Sequence, residues 1–556
     1  MNKKVCSFPI LFALLALLIG TCAVVFPASA QAAPTSTGSI TVSGTVASSY
    51  DAYQIFSANV VDGDSDAKIA TDLTWASDAV RNAALPVLHS AGMPNSQTTA
   101  QEAAEWLNTD SHLTSALSAQ LARSLKSSGA VSVALNAGTT AELSCGYWLI
   151  VADDDAIAQG EAGTAPIMTL VGGSAVTVRP KAATPKVSKH VLEDSTAAWQ
   201  KAADATVADD LYWRLSATVP AGLTAYDTYT VQFVDTMSAG LDPSKVAASM
   251  HVYVAAGADG GFDAVSTGKD GRTGTEPAKG WTDITAQCAT KVATDGKTFT
   301  VRTGDLIAAL GGADAFIAGA RVVAGYNAPL NSACNHGIAK GNPNEVYLRY
   351  PRSPFADQSG DAGFTRTPSD DACAYTWDLA LTKRGSDGDK PLAGAVLSIA
   401  DDRGRTLTAD GTWDAEGKAT VTTGEDGRVS VSGVDSGKLE VRELKAPKGY
   451  TAFEGTRSVT VKAEGLDVDQ VAAAKPKLTI TAESPLRADS ADGSTGSLEA
   501  SLINTPTGTP PSITTGGFMP STGDMAMYAA AAAAVAGAAL IVVALLVKRG
   551  GGSHKE

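Results

Sequence analysis

Short stretches in which apolar and polar residues alternate recur along most of the chain. Examples bounded by turn residues are 229–234, 298–301 and 346–350. Alternation with a period of two predicts strands that bury one face. Between residues 100 and 125 the apolar positions instead recur at helical spacing: Ala103, Ala104, Trp106, Leu107, Leu113, Leu117 and Leu121. The pattern therefore predicts a mainly β protein with helices inserted near its N-terminus.

These elements group into three regions followed by a tail. Residues 34–181 read as a mixed α+β domain, whereas 185–374 and 375–507 contain short strands separated by turns. That spacing is typical of immunoglobulin-like β-sandwiches. Residues 508–518 are mostly Pro, Thr and Gly, which predicts an extended stalk.

Both ends of the chain carry targeting patterns. Two lysines, an apolar stretch and a small-residue cleavage site predict a Sec signal peptide over residues 1–30. Near the other end, residues 526–547 are uninterruptedly apolar and are followed by Lys548 and Arg549. At about 1.5 Å per residue such a helix spans a bilayer core of about 30 Å, with the basic end in the cytoplasm. We therefore expect an exported precursor held in the membrane by a C-terminal helix.

The net charge and the cysteine content limit which partners, disulfides and cofactors the chain is expected to have. A formal net charge of −15 argues against nucleic acid or anionic membranes as partners. Four cysteines follow the signal peptide, and export permits disulfides without selecting among their pairings. Cys288 and Cys334 both lie in the middle region and are one candidate pair. The two remaining cysteines are Cys145 and Cys373. Without a Cys-x-x-Cys hook or clustered histidines, we expect neither a metal nor a cofactor.

The third region places polar residues in register with its buried faces. Alternation puts Lys383 on the same face as Trp377 and Leu381, and the same parity turns Glu443 and Asn504 inward. Burial of a charged lysine is costly unless it is paired or neutralised. The alternative is a buried Lys–Glu pair with the asparagine at a strand end facing solvent.

The three inward residues form a chemically coherent set. Desolvation lowers the pKa of a lysine and raises that of a glutamate, so the amine can be neutral and the acid protonated. A neutral amine is a nucleophile, a carboxamide is an electrophile, and a carboxyl group can shuttle protons as ammonia leaves. Lys383, Glu443 and Asn504 could therefore form a Lys–Asn isopeptide bond.

Several short motifs resemble one known family. Residues 392–395 (LAGA) and the Glu443–Tyr450 stretch resemble the entry motif and E-box of CnaB-type domains, although Leu444 replaces the usual Thr. Residues 53–56 and 234–241 are also similar to SpaA-type backbone pilins, the shaft proteins of sortase-assembled Gram-positive pili. The resemblance implies that Lys383 and Asn504 are crosslinked, with Glu443 as the catalyst of its own chain's bond.

The tail resembles a cell-wall sorting signal of the LPxTG type. Here the motif is Met519-Pro520-Ser521-Thr522-Gly523, so Met519 departs from the usual Leu. The resemblance implies recognition of Met519 and Pro520 by a sortase, cleavage between Thr522 and Gly523, and transfer of the threonine acyl group to an amine.

The amine acceptor is expected at the end of the first region. Residues 176–181 look like the second half of the pilin motif, which implies that Lys181 accepts the next subunit. Gly172, Arg179 and Ala182 depart from the family pattern. A plain linker lysine is the alternative, and Lys186 is the fallback acceptor.

The middle region keeps only part of a crosslinking site. Lys189 and Asp235 fall on buried faces and match the family's lysine and catalytic aspartate. The family's closing strand ends in asparagines, but residues 350–354 of this chain contain none, and Arg352 is in register to pair with Asp235. We therefore predict a vestigial site and no crosslink in this region.

These observations predict a structural protein of the cell wall and pilus rather than an enzyme. The expected role is a pilus shaft subunit linked from Thr522 to Lys181 of the next copy. Its expected partners are pilin-specific and housekeeping sortases, further copies, ancillary pilins and peptidoglycan, with a host surface ligand as a further candidate. The alternative role is a wall-anchored ancillary pilin or adhesin that is not polymerised through Lys181.

Overall fold

A computed structural model describes residues 36–64, 67–109, 111–180, 184–221, 223–257 and 280–508. The predicted signal peptide, Lys181 and the whole sorting signal lie outside these residues. The described part is mainly β, as the alternation predicted. No helix within it is both long and apolar enough to cross a membrane.

The described residues of the N-terminal region form two sheets and three α-helices. Its order is β1 (Thr37–Val42), β2 (Ser49–Asp62), β3 (Lys68–Trp75), α1 (Asp78–Ser90), α2 (Ala100–Asn108), α3 (Ser115–Ser128), β4 (Val133–Asn136), β5 (Thr140–Ser144), β6 (Gly146–Ala152), β7 (Ile167–Val171) and β8 (Val176–Val178). Among the described residues the sheet orders are β5-β1-β8 and β3-β2-β6-β7, with β4 on β2. β8 runs parallel to β1, so the chain leaves this region beside its own first strand.

Local chemistry explains where the helices begin. The side chains of Ser77 and Thr114 accept backbone N–H groups at the starts of α1 and α3. Thr99 and Glu102 form a reciprocal capping box at the start of α2. Apolar residues of these helices pack against β2 and β6, which confirms the predicted helical insertion in a β framework.

The middle region is a sandwich of two larger sheets. Its order is β9 (Val187–Glu193), β10 (Ala198–Gln200), β11 (Ala202–Asp204), β12 (Tyr212–Thr218), β13 (Gln232–Met237), α4 (Val246–Ser249), β14 (His251–Ala255), β15 (Trp281–Asp283), β16 (Ala289–Val292), β17 (Thr298–Arg302), α5 (Leu306–Ala309), β18 (Arg321–Asn327), β19 (Asn342–Pro351), β20 (Phe364–Arg366) and β21 (Asp370–Tyr375). The described strands pair as β10-β9-β12-β18-β14-β15 and β11-β21-β19-β13-β17-β16, with β20 on β19. One apolar cluster fills the space between the sheets.

The C-terminal region is a second sandwich. Its order is β22 (Trp377–Gly385), β23 (Val396–Ala400), β24 (Thr406–Leu407), β25 (Trp413–Asp414), β26 (Val421–Thr422), β27 (Arg428–Val434), β28 (Gly437–Lys445), β29 (Tyr450–Thr451), β30 (Thr456–Glu464), β31 (Lys477–Ala482), β32 (Leu486–Asp492) and β33 (Ser497–Pro506). One sheet pairs β27-β22-β33-β29 with β32 on β33, and the other pairs β25-β24-β23-β28-β30-β31 with β26 on β23. The first strand, β22, therefore lies parallel and adjacent to the last, β33.

Carboxyl groups gather where the middle and C-terminal regions meet. Asp204 on β11 accepts hydrogen bonds from Trp377 Nε1 at 2.6 Å and from the Ser436 backbone at 3.0 Å. Glu193 and Asp435 lie close enough to Asp204 for their charges to interact. Desolvation, and next the charge of Asp204, raise the pKa of Glu193 from 4.5 to about 8. At neutral pH this junction therefore holds a proton on a buried carboxyl group.

The raised pKa of Glu193 makes the stability of the junction fall with rising pH. Because the folded state binds this proton more tightly, its stabilising effect is complete below pH 4.5 and is lost as pH rises through about 8. We expect Glu193→Gln to flatten this part of the curve of melting temperature against pH. Glu105→Gln, at an exposed position on α2, is the control and should not. Parallel curves for wild type and Glu193→Gln would contradict the assignment.

Candidate crosslinking sites

The C-terminal region brings Lys383, Glu443 and Asn504 together in its core. Lys383 on β22 and Asn504 near the end of β33 belong to one sheet, whereas Glu443 on β28 belongs to the facing sheet. Their exposed fractions are 0%, 6% and 2%. Asn504 does not face solvent, so the alternative reading from sequence fails at this residue.

The carboxyl group of Glu443 lies close to both the amine of Lys383 and the carboxamide of Asn504. Glu443 Oε1 accepts a hydrogen bond from Asn504 Nδ2 at 2.9 Å and lies 3.6 Å from Lys383 Nζ. Glu443 Oε2 accepts the backbone N–H of Phe453 at 3.1 Å, which fixes the carboxyl plane. Lys383 Nζ donates to the Leu502 carbonyl at 3.2 Å. Asn504 Oδ1 is buried with no hydrogen-bond partner in the described chain.

The electrostatics of this site favour a nucleophilic amine. Burial lowers the pKa of Lys383 to about 8, and the neighbouring Glu443 opposes but does not cancel this shift. A fraction of the amine is therefore neutral near neutral pH, beside a carboxamide whose nitrogen already contacts an acid–base group. The arrangement can support attack of Nζ on Asn504 Cγ.

The middle region contains a second buried lysine site. Lys189 on β9 and Asp235 on β13 form an ion pair at 0% exposure. Tyr326 on β18 bonds to both, with its hydroxyl oxygen 2.9 Å from Lys189 Nζ and 3.1 Å from Asp235 Oδ2. Burial lowers the pKa of Lys189 to about 8 and raises the pKa of Asp235. Both shifts favour the neutral amine and the protonated acid.

Asn344 supplies the carboxamide that the sequence analysis did not find. It lies near the start of β19, is fully buried, and donates from Nδ2 to the Tyr326 hydroxyl at 2.8 Å. The sequence-based expectation concerned residues 350–354, which overlap the other end of that strand. Asn344 shares the inward parity of Val346 and Leu348, so alternation along β19 was the missed signal. Arg352 does not pair with Asp235; it donates to the Asp154 carbonyl at 3.4 Å.

The suggested disulfide between Cys288 and Cys334 is not formed. All four cysteines of the described chain are free thiols. Cys288 donates to the Ile284 carbonyl at 3.2 Å, whereas Cys334 lies 3.6 Å from Nε2 of His336. His336 in turn bonds to Asp378 on β22, so Cys334 sits at the junction with the C-terminal region. The two thiols are thus engaged in different local environments.

The expected acceptor segment is described only up to Pro180. Val178 on β8 is buried and Arg179 is exposed, which agrees with the predicted alternation. Lys181 lies outside the described residues. Lys186 is exposed, and its backbone is tied to Thr218 at the end of β12 by bonds of 2.8 and 2.9 Å.

One family model matches part of the C-terminal region. Residues 378–475 match the family model of the SpaA prealbumin-like fold domain. The trypsin-resistant surface T6 protein of Streptococcus pyogenes serotype M6 is 30% identical over 143 residues, which cover 24% of this chain and 24% of that protein. The chain thus matches about a quarter of the length of this curated relative.

Two solved structures resemble most of the chain at low identity. The T6 backbone pilin of serotype M6 Streptococcus pyogenes is 17% identical, with 85% of this chain and 98% of that chain covered and a TM-score of 0.46. The full-length major pilin SpaD from Corynebacterium diphtheriae is 16% identical, with 86% and 100% covered and a TM-score of 0.41.

Proposed function

We propose that this chain is the shaft subunit of a covalently polymerised cell-surface pilus, a structural protein rather than an enzyme. The observation that carries the proposal is the buried Lys383–Glu443–Asn504 set inside a region that matches the SpaA domain model. The T6 relative, a surface protein, supports the same role. We take 34–181, 185–374 and 375–507 as the domains, in line with their largely separate apolar cores.

In the C-terminal domain, Lys383 and Asn504 form an isopeptide bond. Lys383 Nζ attacks Cγ of Asn504, and the Cγ–Nδ2 bond then breaks. Glu443 receives a proton from Nζ and delivers one to Nδ2, which leaves as ammonia. The contact of 2.9 Å between Glu443 Oε1 and Asn504 Nδ2 supports this shuttle.

In the middle domain, Lys189 and Asn344 form a second isopeptide bond with Asp235 as the acid–base group. The support is a fully buried amine, carboxyl and carboxamide within one hydrogen-bonded cluster. This proposal replaces the sequence-based prediction of a vestigial site without a crosslink.

Assembly uses the sorting signal. A pilin-specific sortase recognises Met519 and Pro520, cleaves between Thr522 and Gly523, and joins Thr522 to Lys181 of another copy. A housekeeping sortase attaches the last copy to peptidoglycan, and ancillary pilins and a host surface ligand are further partners. The predicted signal peptide and the apolar stretch 526–547 serve export and membrane retention of the precursor.

Thr522→Ala tests the sorting step in the native host. Because the acyl donor is removed, we expect loss of both high-mass ladders and wall-linked protein, with the precursor left in the membrane fraction. Immunoblots of wall and membrane fractions measure this. Ser521→Ala, at the variable position of the motif, is the matched control and should assemble normally. Wall-linked Thr522→Ala protein would refute the assignment.

The second candidate function is a wall-anchored ancillary pilin or adhesin. The departures of residues 172–182 from the pilin motif favour it. Such a protein would need Thr522 for attachment but would accept no further subunit at Lys181. The two roles therefore differ at the acceptor and not at the sorting signal.

A further inference from the structure

The Tyr326 hydroxyl contacts each of the other three polar groups of the middle-domain cluster. Its oxygen lies 2.9 Å from Lys189 Nζ, 3.1 Å from Asp235 Oδ2 and 2.8 Å from Asn344 Nδ2. A phenol has one hydrogen to donate and two lone pairs to accept. The hydroxyl therefore donates to the carboxyl group of Asp235 and accepts from the amine and the carboxamide, which uses all of its hydrogen-bonding positions.

The two crosslinking sites of this chain differ at this point. In the C-terminal domain Glu443 Oε1 contacts the nitrogen of Asn504 directly, at 2.9 Å. In the middle domain the nitrogen of Asn344 bonds to Tyr326, and Tyr326 bonds to Asp235. In the middle domain the phenol therefore lies between the acid and the leaving nitrogen, whereas in the C-terminal domain these two groups are in direct contact.

We infer that Tyr326 is a catalytic residue that relays the proton from Asp235 to the leaving nitrogen of Asn344. The inference rests on the proposed Lys189–Asn344 bond. The reaction starts from the neutral amine of Lys189 and the protonated carboxyl group of Asp235. As Lys189 Nζ bonds to Cγ of Asn344, Tyr326 gives its proton to Nδ2 and takes one from Asp235. Nζ gives its surplus proton back to Asp235, the Cγ–Nδ2 bond breaks, and ammonia leaves. Amine and carboxamide become one amide plus ammonia, and Tyr326 and Asp235 end as they began.

The surroundings of Tyr326 suit a fixed relay. The residue is fully buried, and its ring packs edge-on against Phe299 with centroids 4.8 Å apart. Burial raises the pKa of its hydroxyl well above the usual value, so the phenol keeps its proton until transfer. The other three groups of the cluster, Lys189, Asp235 and Asn344, are fully buried as well, so the relay is not in contact with bulk solvent.

The test uses peptide mapping of the full-length chain, which locates each bond separately. We expect wild type to yield a 189–344 crosslinked peptide and a 383–504 crosslinked peptide. Tyr326→Phe should slow formation of the first by about a hundredfold or more, the usual range for loss of a general acid. The second should form normally and serves as an internal control. Tyr350→Phe is the matched control, since it removes a hydroxyl from the same domain that bonds instead to the Gly160 carbonyl.

Each outcome has a defined meaning. Normal 189–344 bond formation in Tyr326→Phe would overturn the relay. A wild-type chain with only the 383–504 bond would overturn both the relay and the middle-domain crosslink but leave the proposed shaft role standing. Near-UV circular dichroism reports whether Tyr326→Phe folds.

A second measurement avoids any change of shape. Incorporation of 3-fluorotyrosine keeps the ring in place but makes the phenol more acidic. It should alter the rate of the 189–344 bond and not that of the 383–504 bond. Unchanged rates of both bonds would exclude proton transfer through Tyr326.

Discussion

Glu443→Gln is expected to leave Lys383 and Asn504 unlinked and to lower the free energy of unfolding of the C-terminal domain by about 5 kcal/mol. The amide keeps the size of the side chain but cannot shuttle protons between Lys383 Nζ and Asn504 Nδ2. A bond between positions 383 and 504 closes a loop of more than 100 residues. The chain-entropy model of crosslinks gives about 4.7 kcal/mol for a loop of this length.

Mass spectrometry and denaturant unfolding measure the two parts of this prediction. The Glu443→Gln chain should be heavier than the crosslinked chain by one ammonia, after correction for the substitution itself. Glu440→Gln is the control, because Glu440 lies on the same strand but is exposed and pairs with Lys438. Asn504→Ala should also prevent the bond, but it retains the Lys383–Glu443 pair. Comparison of the two variants therefore distinguishes the effect of losing the crosslink from the effect of burying a lysine without its carboxylate partner. A 383–504 crosslink in Glu443→Gln would contradict the role of the carboxyl group.

Sequence periodicity correctly predicted that the three residues of the candidate C-terminal site point inward, because each of them lies on a regular strand. Lys383, Glu443 and Asn504 all follow the alternation of their strands, and alternation determines which side chains enter the core. The pairing of β22 with β33 could not be read from parity. Parity shows that a residue points inward, but not which inward residues meet.

Alternation alone does not identify all members of the middle-domain cluster. Alternation identifies Lys189 and Asp235 as buried, but the family pattern places the carboxamide at the end of β19, whereas Asn344 lies near its start. Nothing in the sequence distinguishes Tyr326 from a tyrosine that only packs in a core. Only the structure shows that its hydroxyl meets three polar partners. The suggested disulfide between Cys288 and Cys334 was wrong for a related reason: two cysteines of one domain need not lie close enough to bond.

Lys181→Arg in the native host is expected to abolish high-mass ladders while single subunits remain linked to the wall. Arginine keeps the positive charge and length of the side chain but offers no amine that can attack a sortase acyl-enzyme. Immunoblots of wall extracts boiled in detergent measure the effect. Lys186→Arg is the matched control, since Lys186 is exposed close by in the chain. Ladders lost only in Lys186→Arg would move the acceptor to that residue, and ladders kept in both variants would favour the ancillary role.

The positions of the two proposed isopeptide bonds give a mechanical reason to expect polymerisation through Lys181 rather than attachment through Thr522 alone. In a shaft linked from Thr522 to Lys181, tension enters just before β9 and leaves just after β33, so it bypasses the N-terminal domain. Lys189 lies on β9, the first strand of the middle domain, and Lys383 and Asn504 lie on the first and last strands of the C-terminal domain. Because β22 and β33 are parallel neighbours, the Lys383–Asn504 bond joins the strands that receive and pass on the load. An ancillary protein anchored only through Thr522 would carry no such load between these points.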